Sequence, residues 1–502
     1  MPKTNQRRLR VPEPSVSGPG RDRIACWSVF AAALVAGWLT LGDMQRLNHA
    51  DSLIPAFASL YRWTWFYWGQ NRFGMLTALL AMPIHHPLMN LLFQNWMVTF
   101  CGLLVFPLVH AYLLGWRTAP LSGLVGAAIF LLWGSGSFHL DYLLASQPYA
   151  VSTCLGLLGL MAIAPGFGRR IRPAFAWASA TMLLFLAFWV SLAAVFLMVP
   201  LFTLQSFIGP GQDSKRGKRL LTGLLILLAA ALANWEIAIN YPYSGDFGWT
   251  PPETWPGNCA SLLSDIYKVT PPEFLMALLA LTGTGAVAWL ACRDRQHRRE
   301  MLRACAICVL AALSYFTIVA ATDHARRSGF PYRYAIPSIV LLVISTAMLA
   351  TLAADRLPSR WRARLAAALL LGLLVGTTWR YGTPSYGRVR TSVDQRFGGP
   401  TNAILDAHCT HVLGDYWDVW ERVFHANLAQ YESGSQMVIW GITARSEVTR
   451  DLWFPLLKGG RVAVVRSENS DRDWQNEARV FQIPELKLVG ELPQIRIFVT
   501  MW

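Results

Sequence analysis

Long apolar runs, separated by short polar and often basic stretches, dominate the first three quarters of the chain. The runs are Ile24–Leu41, Pro87–Leu114, Leu121–Trp133, Pro148–Ile163, Leu220–Asn234, Phe274–Cys292, Cys305–Ala321, Ala335–Ala354 and Leu365–Trp379. A helix needs about 20 apolar residues to cross a hydrocarbon core of about 30 Å, so each run predicts a membrane span, and the shorter ones leave their ends open. The run Ala176–Phe207 is too long for one crossing, since a single helix of that length would measure about 48 Å. Charge resolves it. Arg169, Arg170 and Arg172 precede the run, and Lys215, Arg216, Lys218 and Arg219 follow it. Both flanks favour the cytoplasm, which requires two crossings with a turn near Trp189–Ser191.

The fold class that follows is an α-helical polytopic membrane protein of about eleven spans with a small C-terminal α/β soluble domain. Residues 1–23 form a cytoplasmic tail, 24–379 the membrane domain with a first outer loop at 42–86, and 380–502 a domain on the outer side. Arg293, Arg295, Arg298, Arg299 and Arg303 fall inside on this count, as do Arg356, Arg360, Arg362 and Arg364. The outer loops, 42–86, 134–147, 235–273 and 322–334, are aromatic and mostly poor in Lys and Arg. The last span is short and ends at Arg380. Without it, the C-terminal domain would lie in the cytoplasm.

Beyond residue 380 the pattern changes to short alternating runs, His411–Leu413, Met437–Gly441, Arg461–Arg466 and Arg496–Met501. Helical periodicity at Trp417–Leu428, Arg445–Leu457 and Asp471–Val480 separates them, which predicts an α/β unit.

Composition agrees with a membrane location. The chain is 54% hydrophobic and 15% charged, against about 25% charged in soluble domains. Many of the 22 Trp lie between apolar runs, at the depth indole rings favour. The net charge of +15 sits in clusters between spans, which marks topology and not a nucleic-acid face. No cleavable signal peptide is evident, because the first run follows five arginines and lacks a small-residue cleavage site. Cys305-x-x-Cys308 reads as packing inside an apolar helix, while Cys259 and Cys409, both outside on this topology, could pair as a disulfide.

Candidate chemistry collects in the outer loops. Asp43 and Asp51 follow the first span, ahead of Tyr67, Gln70 and Arg72. By residue type, Asp51 reads either as a helix cap or solvated acid, or as a partly desolvated carboxylate able to act as a base or cation ligand. The second loop offers His139 and Asp141 for sugar hydroxyls or for a site shared with Asp51, with a plain interfacial loop as the alternative. The loop Asp323–Tyr334 breaks the inside-positive pattern by placing Arg326, Arg327 and Arg333 outside, where guanidiniums suit a phosphate or anionic headgroups. Trp249, in the long fourth loop, is a candidate to stack on a sugar or to anchor at the interface.

An acid just past the first span, an aromatic first loop, about eleven spans and an outer soluble domain resemble the GT-C glycosyltransferase superfamily. Tyr67-x-Gly69-Gln70…Gly74 and Arg333-Tyr334-Ala335-Ile336-Pro337 are similar to segments of its bacterial branch related to protein O-mannosyltransferases and the lipid A aminoarabinose transferase. The resemblance implies a polyprenyl-phosphate-linked sugar donor, a lipid, glycan or protein acceptor, and a bacterial inner-membrane location with chemistry at the periplasmic face. It implies that Asp51, or failing that Asp43, activates the acceptor, and that Arg326, Arg327, Arg333 and Tyr334 hold the donor phosphate. The family often carries two adjacent acids where this chain has Asp51-Ser52, so dependence on a divalent cation is left open. The rival readings are a secondary transporter or lipid flippase, disfavoured by spans almost free of charge, and a scaffold or receptor.

Overall fold

A computed structural model of the chain describes residues 19–43, 47–68, 70, 72–116, 119–145, 148–164, 173–208, 216–241, 248–275, 278, 295–354, 357–443, 460–465, 486–492 and 495–500. The cluster Arg169–Arg172, Gly69, most of the run Phe274–Cys292 and the predicted helices Arg445–Leu457 and Asp471–Val480 lie outside the described residues.

The molecule is mostly helical. Apolar runs become the helices Pro19–Leu39, Pro87–Leu114, Ala119–Ala128, Tyr149–Ile163, Pro173–Val190, Ala194–Ile208, Arg216–Ile239, Arg295–Ala320, Ile336–Ala354 and Ser359–Tyr381. Among the described residues, six helical segments are long and apolar enough to cross a membrane, and four shorter apolar helices accompany them. One large core joins these helices, centred on residues such as Phe106, Phe130, Leu184, Tyr315 and Val343.

The run Ala176–Phe207 does break. Its first helix ends at Val190, residues 191–193 are non-helical, and a second helix starts at Ala194. The first loop is pinned to this break. Phe66 and Gly74 pair as an antiparallel bridge, Gly74 N donates to Trp189 O at 2.9 Å, and Trp189 Nε1 donates to Trp65 O at 3.1 Å. A Cβ on Gly74 would stand 2.6 Å from Trp189 O, closer than real contacts allow. Gly74→Ala is therefore expected to destabilise the protein by about 1–3 kcal/mol, the usual range for overpacking, read as a lower melting temperature in detergent.

Past Ser359–Tyr381 the chain turns through Gly382 (φ +74°) into the helix Tyr386–Asp406. A five-stranded sheet follows, ordered β2-β1-β3-β5-β4, from β1 (His411–Gly414), β2 (Trp440–Thr443), β3 (Arg461–Val465), β4 (Leu486–Leu492) and β5 (Ile495–Thr500). β1 runs parallel to β2 and β3, whereas β5 is antiparallel to β3 and β4. The helix Tyr416–Glu432 covers the sheet. β4 and the helix Tyr386–Asp406 have no counterpart among the elements predicted from sequence.

The sheet does not stand apart from the membrane region. Val412, Leu413, Trp420 and Val464 share one core with Ile54, Phe57, Tyr67 and Trp68 of the first loop. Cys409 is buried, Cys259 packs against the membrane core, and both carry free thiols, so the disulfide considered from sequence does not form. Each thiol is already placed by its own hydrophobic surroundings.

Candidate active site

Asp51 lies in the first turn of the helix Ala50–Tyr61, where the helix dipole favours a carboxylate. The cap is His49, whose Nδ1 accepts from Asp51 N at 3.3 Å. Asp51 itself is only 7% exposed. Two phenols address its Oδ1: Tyr67 from the same loop donates at 3.2 Å, and Tyr416, the first residue of the helix over the sheet, makes a short contact. The two hydroxyls lie 2.5 Å apart. Oδ2 faces His49 Nδ1 at 3.9 Å and has no hydrogen-bond donor among the described residues. Trp417 packs its ring edgewise on His49, at 4.8 Å between centroids.

A basic cluster forms where the first loop meets the loop before the helix Ile336–Ala354. Arg72 Nε donates to Gln70 Oε1 at 2.9 Å, and its Nη1 contacts His324 Nε2. Guanidinium is always a donor, so that nitrogen accepts, and His324 carries its proton on Nδ1. Tyr334 reaches the same Nε2 at 2.8 Å and donates to Ser328 Oγ at 3.1 Å. Arg333 lies over the Tyr334 ring at 5.5 Å, with its Nε buried and unpartnered.

Electrostatics show how crowded this cluster is. Burial, then the charges of Arg72 and Arg333, push His324 down to about 4, so the ring is neutral at neutral pH. Burial also pulls Arg72 below the usual guanidinium range, and the charge of Arg333 adds to that. Burial works against Arg333 too, but the Tyr334 phenol and Asp141 outweigh it and hold its group above the ordinary value. With the carboxylates Asp141 and Asp323 near the cluster, two guanidiniums thus lie in poorly solvated surroundings. Both are flanked by backbone strain: Phe73 and Phe330 have φ of +72° and +56°. Such conformations in bulky residues persist only where the surroundings impose them, and they cluster at functional sites.

Asp141 connects the two centres. Tyr332 donates to its Oδ2 in a short contact. Burial pushes the Asp141 carboxyl above the ordinary carboxylate range. The Tyr332 bond and the charges of Arg333 and His49 oppose the shift, and the charge of Asp51 adds to it. The charges of His49, Asp51 and Arg333 thus all bear on Asp141. Asp265 Oδ2 accepts from Tyr332 N at 2.7 Å, and Trp249 pairs with Thr322, so residues 248–273 and 322–334 close over the same end of the bundle.

Other candidates lie elsewhere. Arg326 and Arg327 both pair with Asp323, at 2.7 and 2.5 Å, and their side chains are about 60% exposed. His139 is buried, with Nε2 against Phe130 O and Nδ1 3.0 Å from Tyr381 OH; it ties the second loop to the end of the helix Ser359–Tyr381. The approach of that end to Gly42 is close, since a Cβ there would meet Tyr381 O at 2.0 Å. Asp43 follows directly, and no described hydrogen bond or ion pair joins its side chain to Asp51. Trp249 is half exposed and packs on Phe196. Among the described residues no three His, Cys, Asp or Glu side chains gather as a metal site.

His49, His324 and Tyr332 do not stand out in the sequence, whereas Gly414-Asp415-Tyr416-Trp417 ends a predicted strand, a place where an acceptor contact is expected. The signal for His324 and Tyr332 was their place beside the anomalous arginines. His49 carried no local signal, because its role exists only across the interface between loop and sheet.

No protein-family model matches the chain, and no curated protein matches it. Solved structures do. ArnT from Cupriavidus metallidurans bound to undecaprenyl phosphate matches with a TM-score of 0.49 at 12% identity, over 97% of this chain and 99% of that one. The arabinofuranosyltransferase AftD from Mycobacteria matches with 0.48 at 15%, over 95% of this chain and 40% of that one. The oligosaccharyltransferase of Archaeoglobus fulgidus matches with 0.44 at 11%, over 84% and 65%. By name, the second is an arabinofuranosyltransferase and the third an oligosaccharyltransferase. Scores below 0.5 at such identities assign no activity and no residue role.

Proposed function

We propose that the chain is a membrane glycosyltransferase that moves a sugar from a polyprenyl-phosphate donor to a hydroxyl acceptor at the periplasmic face of a bacterial inner membrane. This reading is supported by a buried carboxylate, Asp51, in the first loop and by the cluster of Arg72, His324, Tyr334 and Arg333 where that loop meets the one before the helix Ile336–Ala354. The first loop would thereby bring a carboxylate base and an anion-binding pair to one end of the bundle.

Asp51 would take the acceptor hydroxyl proton as the hydroxyl oxygen attacks the anomeric carbon. In this structure its Oδ1 accepts from the phenols of Tyr67 and Tyr416. The bond from that carbon to the phosphate oxygen breaks, and the electron pair leaves on the phosphate. Arg333 and Arg72 would receive this anion, since a fixed cation in a poorly solvated site stabilises developing negative charge more than water does. Arg326 and Arg327 are less suited, being exposed and already paired with Asp323. A phosphate is a good leaving group, so no separate acid is needed. Tyr332 positions Asp141 through its hydrogen bond.

The eleven-span count and the outer location of residues 380–502 belong to the same proposal. Arg380 Nη1 donates to Leu131 O at 3.0 Å and to Gly134 O at 3.2 Å, so the end of the last membrane helix lies beside the second outer loop. A reporter fused after residue 380 is expected to signal from the periplasm, with a cytoplasmic signal overturning the count.

The deciding experiment is transfer of labelled sugar by the purified protein from a panel of polyprenyl-phosphate-linked sugars. Donor-independent flux of lipid-linked sugar in liposomes, without transfer, would favour the transporter instead. That rival finds one point of support in the buried, uncharged row Asn90, Gln94, Asn95 and Thr99 along the helix Pro87–Leu114. Most of these groups are tied to their own helix or to the first loop: Asn90 binds Ser59, Gln94 binds Asn90, and Thr99 binds Asn95 O.

A further inference from the structure

Asp51 is reached from two separate parts of the chain. Tyr67 belongs to its own loop, whereas Tyr416 arrives from the sheet more than 350 residues later. The sheet holds Tyr416 by a rigid corner. β1 ends at Gly414, with φ of +154°, where a Cβ would stand 2.7 Å from Val465 O. Asp415 then caps the next helix, its carboxylate accepting from Trp417 N at 3.0 Å, and Tyr416 is the first helical residue. Its ring is 9% exposed, while Trp417 beside it is 43% exposed and rests on His49.

A hydroxyl donating to a carboxylate is the arrangement an acceptor alcohol must adopt before it gives up its proton. We propose that the Tyr416 hydroxyl holds, on Asp51, the place of the acceptor hydroxyl, and that the first turn of its helix withdraws when the acceptor enters. The inference rests on the transfer reading above. It makes the C-terminal sheet part of the catalytic site, because an acceptor bound there would both displace Tyr416 and supply the nucleophile.

Tyr416 in place also shields the donor from water. When it is absent, water can reach Asp51: the water oxygen bonds to the anomeric carbon, its proton passes to Asp51, and the carbon–oxygen bond to phosphate breaks. The products are free sugar and polyprenyl phosphate.

Two measurements on the full-length protein test this. The first labels accessible carboxyls with a water-soluble carbodiimide and glycine ethyl ester and reads Asp51 by mass spectrometry. Tyr416→Ala is expected to raise Asp51 labelling several-fold over wild type. The second follows free sugar released, without acceptor, from undecaprenyl-phosphate-linked hexose. Tyr416→Phe, which keeps the ring and its packing, is expected to raise release several-fold, so the test survives if the alanine variant does not fold. Unchanged labelling and unchanged release, in a protein whose wild type transfers sugar, overturn the role of Tyr416 and leave the transferase standing. Raised labelling with no donor consumed by any variant overturns the transferase reading, and this inference with it.

Discussion

Asp51→Asn should abolish sugar transfer to within about a hundredth to a ten-thousandth of wild type, the range that a positioned general base contributes. Asparagine has nearly the same shape, and its Oδ1 can still accept from Tyr67 and Tyr416, so the loop–sheet contact survives. What it loses is the oxygen able to take a proton. The variant should therefore keep its melting temperature and its affinity for undecaprenyl phosphate while kcat collapses. Asp43→Asn is the control. Its side chain has no described link to the cluster, so that variant should transfer sugar near the wild-type rate. Full activity in Asp51→Asn would end the mechanism.

The second large effect concerns the arginine pair. Each charge-assisted hydrogen bond to a phosphate is worth about 1.5–3 kcal/mol, or roughly 10–150-fold in affinity at 1.4 kcal/mol per decade. Arg333→Ala or Arg72→Ala should raise KM for the donor by about that factor, and the double variant should bind undecaprenyl phosphate too weakly to measure by calorimetry in detergent. Arg333→Lys should recover little, because an ammonium cannot reproduce a planar fork of donors. Arg326→Ala and Arg327→Ala should stay near wild type, because both side chains reach into solvent and already neutralise Asp323. If those two variants lose donor affinity and the Arg72 and Arg333 variants keep it, the assignment of the anion site is wrong.

The contrast between the two arginine pairs shows where reading residues in order stops. Arg326, Arg327 and Arg333 stand out equally in the sequence as positive charges on the wrong side of a span. Only the fold separates them: Asp323 is three and four residues before the first two, on the same helical turn, whereas Arg333 turns inward over Tyr334 beside Asp141. Arg72, a substrate-binding candidate of the first loop, meets His324 beside Tyr334 and Arg333, and that loop is fastened to the break at Trp189. His139 stands out as much as Asp141, two residues on, but just over half a helical turn separates them, which sends the imidazole into the core and the carboxylate to Tyr332.

Membrane character, the approximate limits of most apolar helices, the break inside Ala176–Phe207 and the change to short strands beyond residue 380 were all present in the linear pattern. Each depends on local hydrophobicity, on charge flanking a run, or on side-chain period, and these act over one element at a time. The meetings of Asp51 with Tyr416, of Arg72 with His324 and of Asp141 with Tyr332 depend on contacts between residues hundreds of positions apart. Hydrophobic period cannot encode such contacts, because it says which face of an element is buried and not which partner buries it.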